Sequence, residues 1–261
     1  MATQNKKDMK RLNGNVTIIT GGGKGIGYGL AEAFAEEGSN LVITGRTEAR
    51  LIKAKHELED RYGIEVLPIV ADGADEEAIK SVVSQTVEKF GKINTLVNNA
   101  QVSKSGLSLV DHTREDFDLA IYSGLYATFF YMKECFPYLE KTHGSVINFA
   151  SGAGLFGKLG QASYAAAKEG IRGLSRVAAS EWGPYEVRVN VVCPLAMTES
   201  LQQWKAEYPE LYEKTIHGIP LGHFADPKDD IGRVCVFLAS EDAHFVTGET
   251  ITLQGGSGLR P

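Results

Sequence analysis

The chain has 261 residues, of which 43% are hydrophobic and 23% charged, and its formal net charge is −6. That length buries a full domain core, and that balance excludes a disordered, collagenous or fibrous chain. The negative charge, with no basic tract, excludes general nucleic-acid binding.

Residues 1–13 read as a flexible polar arm ahead of a single domain over 14–261. Val16–Thr20 is a short β-branched run suited to a buried parallel strand. The glycine-rich segment Gly21–Gly27 follows, then a helical pattern through Glu37, closed by Gly38. Asn40–Thr44 reads as a second strand, Glu48–Tyr62 as a helix, and Glu65–Val70 as a third strand. Asp75–Phe90 is a helix stopped at Gly91, and Thr95–Val97 is a fourth strand closed by Asn98-Asn99-Ala100. Arg114–Leu139 reads as one long helix, with Phe117, Ile121, Leu125 and Phe129 at near-helical spacing. Val146–Phe149 is a fifth strand, Gly160–Trp182 a helix, and Val187–Val192 a sixth strand. An amphipathic, aromatic-bearing stretch over Thr198–Thr215 has no strand beside it; a helix over Lys228–Ala239 and a strand over Glu249–Leu253 end the series. Alternating strands and helices with short connections predict a doubly wound parallel sheet, a Rossmann-type three-layer α/β/α sandwich. The insertion at about 195–222 falls at a strand's carboxyl end, where such sheets bind ligands, and reads as a substrate lid.

Cys135, Cys193 and Cys235 are scattered and odd in number, which reads as buried thiols in a reducing cytosol rather than a disulfide framework. No Cys/His spacing suggests zinc, so no metal site is expected. The polar start and the short apolar runs lead to the expectation of a soluble cytoplasmic protein with no membrane partner.

The segment Thr20–Gly27, T-G-G-G-K-G-I-G, lies between a strand and a helix. Glycines there permit a tight turn and let backbone N–H groups and a helix N-terminus meet an anion. Thr20, Gly21, Gly23, Lys24, Gly25, Ile26 and Gly27 are therefore candidate cofactor-binding residues. NAD-preferring sites place a carboxylate at the end of the second strand, but this chain reads Thr44-Gly45-Arg46 there. Arg46 either pairs with a 2′-phosphate or is a solvated loop cation, and Lys24 either adds a second positive charge or is an exposed helix start. Both fall where the extra phosphate would lie, so NADP(H) is favoured over NAD(H). Asp72, after the third strand, either accepts from the adenine amine or serves as a turn residue.

Asn148–Lys168 carries a second constellation: Ser151, Tyr164 and Lys168. Tyr164 and Lys168 are four apart in an Ala-rich run, which stacks them on one helix face. An ammonium beside a phenol favours the phenolate and pulls its pKa down from about 10. A phenol tuned that way exchanges a proton with an alcohol or carbonyl, and the Ser151 hydroxyl is placed to bond the same oxygen. Alone, a Y-x-x-x-K pair is more often a solvated helix face, and a Ser before Gly is more often turn chemistry.

Taken in order, Thr20–Gly27, Asp72, Asn98-Asn99-Ala100, Ser151, Tyr164, Lys168, Pro194 and the Thr247-Gly248-Glu249 turn resemble the motifs of the short-chain dehydrogenase/reductase family. The resemblance spans nearly the whole chain. It implies that Gly21, Gly25 and Gly27 line a pyrophosphate, that Asn98 supports the central strand and that Ala100 backs a ribose. It further implies that Tyr164 is the general acid or base, that Lys168 holds the nicotinamide ribose, that Ser151 polarises the substrate oxygen, and that Thr198, following Pro194, contacts the nicotinamide carboxamide. The sequence departs from the family pattern at four places. Gly124 stands where an Asn usually serves a water-mediated proton relay, and water is expected in the missing amide's place. Gln101 stands where a Gly usually follows Asn-Asn-Ala; its side chain either projects toward the nicotinamide or turns to solvent. Leu195 and Gln254 replace a Gly and an acidic residue.

The apolar mouth formed by Phe156 and its neighbours after Ser151 and by the lid suits a hydrophobic ketone or secondary alcohol, with steroid, bile-acid and β-ketoacyl thioester substrates all compatible. Gln101, Ser151, Phe156, Met197 and Trp204 are the candidate substrate contacts, although such a stripe is more often plain packing. The expectation is an NADP(H)-dependent oxidoreductase interconverting a hydrophobic ketone and its alcohol, with Tyr164 as general acid/base. The alternative is an NADP-binding sensor or scaffold that has lost turnover. The resemblance also implies a homotetramer or homodimer through the helices bearing Phe117–Phe129 and Tyr164–Leu174.

Overall fold

The structure, a computed structural model, describes residues 10–258, with Ser200 described by its backbone alone. β1 (Val16–Thr20) is buried at all five positions, as a β-branched run is when both faces of its sheet are covered. It pairs in parallel with β2 (Asn40–Gly45) on one side and β4 (Thr95–Asn98) on the other. Beyond β2 lies β3 (Val66–Val70); beyond β4 lie β5 (Ser145–Phe149), β6 (Arg188–Pro194) and β7 (Thr250–Leu253). The seven-stranded order is β3-β2-β1-β4-β5-β6-β7. The strand order reverses between β1 and β4, and such a switch point opens a crevice at the strands' carboxyl ends.

Successive residues on the central strands face opposite cores. Ile18, Val42, Leu96 and Val146 meet Ile79, Tyr131 and Leu139 on one side. Ile19, Ile43, Val97 and Ile147 meet Leu30, Phe34 and Leu238 on the other. The first side carries α3 (Glu76–Phe90), the central helix α5 (Ala127–Thr142) and α7 (Ala162–Trp182); the second carries α1 (Gly25–Glu36), α2 (Glu48–Tyr62) and the late helix, Arg233–Ala239. Asp75 caps α3 by accepting from Glu77 and Ala78 N–H, and Gly91 ends it at φ +74°, a conformation that favours glycine.

Several boundaries differ from the sequence reading, each for a local reason. Leu12 is buried at 1% exposure, and its N–H donates to Glu37 O at 3.0 Å, so the expected flexible arm does not reach that far; residues 1–9 lie outside the described residues. The expected single helix over Arg114–Leu139 is α4 (Arg114–Ala120), a π-helical turn (Ile121–Tyr126) and α5. A second π turn, Pro227–Gly232, precedes the late helix: Gly232 packs on Ala33 and Gly29 on Pro227 more closely than any Cβ would permit. The stretch after Ser151, expected to be a glycine-rich loop, is the short helix α6 (Gly152–Phe156). The helix expected from Gly160 starts at Ala162, because Gly160 sits at φ +72°. The lid stretch forms α8 (Glu199–Glu207) and α9 (Pro209–Ile216), broken where Pro209 cannot continue the first helix; the late helix is thus α10. Cys135, Cys193 and Cys235 are buried and outside any disulfide. Among the described residues no helix is long and apolar enough to cross a membrane.

Candidate active site

The crevice at the switch point is a cleft of about 410 Å³. Of the predicted cofactor residues, Thr20, Gly21, Lys24, Gly25, Ile26, Gly27, Arg46, Asp72, Asn98, Ala100 and Thr198 line it. Gly23, Pro194, Tyr164 and Lys168 are not part of its lining: Gly23 lies against Leu51 of α2, Pro194 ends β6 paired with Leu253, and Tyr164 and Lys168 stand on α7.

The cleft floor is welded from two distant segments. Thr20 Oγ1 accepts from Asn99 and Ala100 N–H, each at 3.0 Å, while Asn99 Nδ2 donates to Thr20 O at 2.9 Å. Any Cβ on Gly27 would collide with Gly21 O, so the glycine turn closes only without side chains there. A Cβ on Gly25 would meet nothing within 4 Å, so the turn is open on the side of the cleft it lines. Lys24 occupies the N-cap of α1 without capping it, and no acidic residue stands in the first turn. The helix therefore keeps its orphan N–H donors and its positive dipole end for an anion, which fits a dinucleotide pyrophosphate. Asn98 Nδ2 donates to Asn148 Oδ1 at 2.8 Å, tying β4 to β5 beneath the cleft. Lys24 and Arg46 are exposed and form no ion pair among the described residues. Asp72 lines the cleft, and its Oδ1 accepts from Ala74 N–H at 3.0 Å in the turn after β3.

Ser151, Tyr164 and Lys168 come together at the carboxyl end of β5. Ser151 caps α6, its Oγ accepting from Ala153 N–H at 3.1 Å, and its hydroxyl also pulls the Tyr164 phenol toward ionisation. Lys168 is buried, donates to Phe149 O at 2.6 Å and lies 5.5 Å from the centroid of the Tyr164 ring. The electrostatics differ from the expected balance. Burial pushes the phenol above its ordinary value, outweighing the Ser151 hydroxyl, and burial brings the Lys168 amine down to about 7. Both charged forms lose solvation, and a lysine that titrates near neutrality is a weak perturber of its neighbour. The expected lowering of the Tyr164 pKa by Lys168 is thus not a property of these protein groups by themselves.

The two unusual residues of the sequence meet each other. Gln101 lines the cleft and folds its carboxamide onto Gly124, into the volume that a side chain there would claim. Gln254 likewise has a structural explanation: its amide packs against Gly152, directly after Ser151, and against Gly258, closer than any Cβ would allow. Leu195 N–H donates to Leu253 O and its carbonyl accepts from Ala225 N–H, pinning the neck of the lid to the sheet.

The predicted substrate residues divide. Phe156 and its neighbour Leu159 are exposed, at 52% and 94%. Met197 and Trp204 are partly buried and pack against the lid cluster of Tyr212, Ile219 and Phe224. The sequence reading missed Asn99, Thr44, Ser123, Tyr131 and Glu199 as cleft residues. Asn99 stood inside a quoted motif, but nothing local signals a bond to a residue 79 positions away.

A family model described as enoyl-(acyl carrier protein) reductase matches residues 21–257. A 12alpha-hydroxysteroid dehydrogenase of Clostridium sp. is 60% identical over 256 residues, covering 96% of this chain and 99% of that protein. The 3-oxoacyl-(acyl-carrier-protein) reductase FabG of Thermotoga maritima is 37% identical over 94% of this chain and 98% of its own length. The crystal structure of levodione reductase superposes with a TM-score of 0.89 at 31% identity, covering 95% of this chain and 99% of that one. NAD+-bound xylitol dehydrogenase gives 0.88 at 28% identity, covering 95% and 100%. The chain belongs to the short-chain dehydrogenase/reductase family. It is an oxidoreductase acting on CH–OH donors with a nicotinamide dinucleotide as cofactor.

Proposed function

We propose that the protein is an NADP(H)-dependent hydroxysteroid dehydrogenase that interconverts a steroid hydroxyl, such as the 12α-hydroxyl of a bile acid, with its ketone. The observation that carries this is the gathering of Ser151, Tyr164 and Lys168 at one strand end, in a chain 60% identical over nearly its full length to a 12alpha-hydroxysteroid dehydrogenase. The exposed apolar groups Phe156 and Leu159 suit a steroid face, and no cluster of cations there calls for an acidic carrier.

A bound nicotinamide supplies the hydride acceptor or donor. Gly21, Gly25 and Gly27 with the α1 N-terminus would hold the pyrophosphate, and Lys24 and Arg46 would meet a 2′-phosphate. Ala100 would back the ribose and Thr198 would contact the nicotinamide carboxamide, while Asn98 braces β4 on β5 beneath the cleft. Ser151 donates to the substrate oxygen, and Tyr164 exchanges the hydroxyl proton with it. Lys168 would orient the ribose, and the Ser151 hydroxyl favours the phenolate. Protein orientation and electrostatics, rather than redox chemistry, are what the chain contributes.

The test is the absorbance of reduced nicotinamide with a 12α-hydroxylated bile salt and NADP+. Tyr164→Phe is expected to lower kcat by about 10²–10⁴-fold while NADP+ still binds. Turnover of 3-oxoacyl thioesters but not of bile salts would instead support the reading favoured by the 37% identical relative. Cofactor binding without turnover on either, and with no effect of Tyr164→Phe, would support a sensor.

A further inference from the structure

The turn that follows β7 joins the sheet to both ends of the lid. Leu253 O, at the end of that strand, accepts from Leu195 N–H at 2.9 Å where the chain enters the lid. Gly255 O accepts from Leu221 N–H at 3.0 Å where the chain leaves it. Gly255 and Gly256 sit at φ +59° and +91°, and a Cβ on them would lie 2.8 Å from Ile219 Cγ2 and from Pro220 Cγ, so only glycines let the lid's exit lie this close. Ser257 closes the turn, donating to Gln254 O from its N–H at 3.0 Å and from its Oγ at 2.8 Å. The backbone of Gln254 is thereby anchored where lid and sheet meet.

Its side chain runs toward the catalytic serine. Gln254 is 8% exposed, and its carboxamide lies between two glycines. A Cβ at Gly152 would collide with Nε2 and Oε1, and one at Gly258 would collide with Oε1. The amide makes no hydrogen bond among the described residues, so its hold on Gly152 is one of shape. With Gly258 on its other side, a close-packed wedge has little room to retreat. An acidic side chain, as the family pattern places here, would carry a poorly solvated charge into this slot. Gly152 opens α6 and follows Ser151 directly, and Ser151 Oγ accepts from Ala153 N–H at 3.1 Å. The direction of the serine hydroxyl is therefore set by where Gly152 and Ala153 lie. Consecutive Cα atoms are about 3.8 Å apart across a stiff peptide plane, so a shift of Gly152 passes to Ser151.

We propose that Gln254 is a positioning residue for Ser151: its carboxamide, anchored at the seam of lid and sheet, wedges Gly152 and so aims the serine hydroxyl at the substrate oxygen. The proposal rests on the role given to Ser151 above. Gln254 itself exchanges no proton and touches no reacting atom. Its effect is one of aim, and a misplacement of about 1 Å at a reacting group costs up to about 10²-fold in rate.

Steady-state kinetics of the full chain with NADP+ and a 12α-hydroxylated bile salt test it. Gln254→Ala empties the slot; its kcat is expected to fall about tenfold or more, with both KM values within about twofold of wild type. Gln254→Met refills the slot with a neutral side chain of similar length and is expected to return to within about threefold of wild type. Ser151→Ala alone is expected to cost about 10²-fold, and Gln254→Ala on that background less than a further twofold. General loosening of the fold does not produce such a coupling. If the alanine variant does not fold, Gln254→Asn draws the amide back by one methylene and carries the same expectations. Wild-type kcat in Gln254→Ala, or an equal loss with and without Ser151, would overturn the proposal. So would a methionine variant as slow as alanine with a raised steroid KM, which would make the amide a contact of the substrate itself. Tyr164→Phe is run alongside: full activity there would bring down the reading of the site and this proposal with it, whereas a failure confined to the Gln254 variants leaves that reading standing.

Discussion

Tyr164 and Lys168 show how burial and charge compete at a single pair. Four-residue helical spacing brings the amine to 5.5 Å from the ring centroid, as the sequence predicts, but both groups are withdrawn from water, and desolvation dominates each. Lys168 falls from 10.5 to about 7, so the unfolded chain binds more protons between these values and stability rises with pH across that window. Below about pH 7 the full cost of burying the charge remains. At roughly 1.4 kcal/mol per pH unit this cost approaches roughly 5 kcal/mol, more than the about 1–3 kcal/mol lost by leaving Phe149 O without its donor. Lys168→Met is therefore expected to abolish turnover yet raise the thermal midpoint at pH 7, with the gain shrinking as pH rises toward 10.5. Melting curves across that range check it, and a lower midpoint at pH 7 would contradict it. Arg46 permits a second expectation. With no carboxylate at the end of β2 and an exposed guanidinium on the cleft wall, Arg46→Glu should raise the KM for NADP+ by about tenfold or more, through lost charge-assisted pairing and added repulsion, and change the KM for NAD+ far less. Kinetics with both cofactors decide it.

Among the elements, α1 departs most usefully from ordinary helix chemistry. Asp75 and Thr113 cap α3 and α4 with side-chain oxygens, whereas α1 begins on Lys24 in an extended conformation with no cap at all. The donors left bare are the ones a pyrophosphate would meet. Lys24→Asp would supply a cap at that geometry. It should stabilise the cofactor-free protein by about 1 kcal/mol and weaken NADP+ binding about tenfold or more, because the new carboxylate competes with the phosphate. Denaturation and binding titrations measure the two effects separately, and a Lys24→Asp variant that binds NADP+ normally would remove this helix from the phosphate site. The element order, the parallel sheet and nearly every strand were legible in the sequence, because runs such as Val16–Thr20 and turn signals such as Gly38 and Gly91 act locally. The two π turns were not. Each arises where a glycine admits a distant group, Gln101 at Gly124 and Ala33 at Gly232, and periodicity within one helix carries no record of that neighbour. The same limit explains why the packing of Met197 and Trp204 against Tyr212, Ile219 and Phe224 within the lid was not legible from the stripe alone.

At the scale of the whole molecule, the unspent apolar surface lies on the outer face of the π turn, α5 and α7. Phe129 and Val177 are 40% and 55% exposed and border a groove that also includes Met132, Phe136, Leu174 and Trp182. Tyr122, Tyr126 and Phe130 stack in sequence beside it, with centroids 5.1 and 6.0 Å apart. Singly exposed apolar residues are ordinary, but a contiguous aromatic stripe along packed helices marks an association surface. These are the helices the family resemblance assigns to a homodimer or homotetramer, and two copies of such a face bury aromatic groups against each other in a self-complementary contact. The arrangement links assembly to the site, because the π turn is held on its inner side by Gln101 while its outer tyrosines belong to this stripe. Phe129→Glu combined with Val177→Glu sets like charges into the groove of both copies and should shift light scattering from an oligomer to the monomer mass. If the interface braces the π turn, the dissociated protein should also lose kcat by about tenfold or less while retaining cofactor affinity, since the glycine turn is built from the ends of β1 and α1 and not from this face. An oligomer unchanged by both glutamates would assign the contact to another face, and monomers with undiminished kcat would show that the π turn holds its shape without a partner.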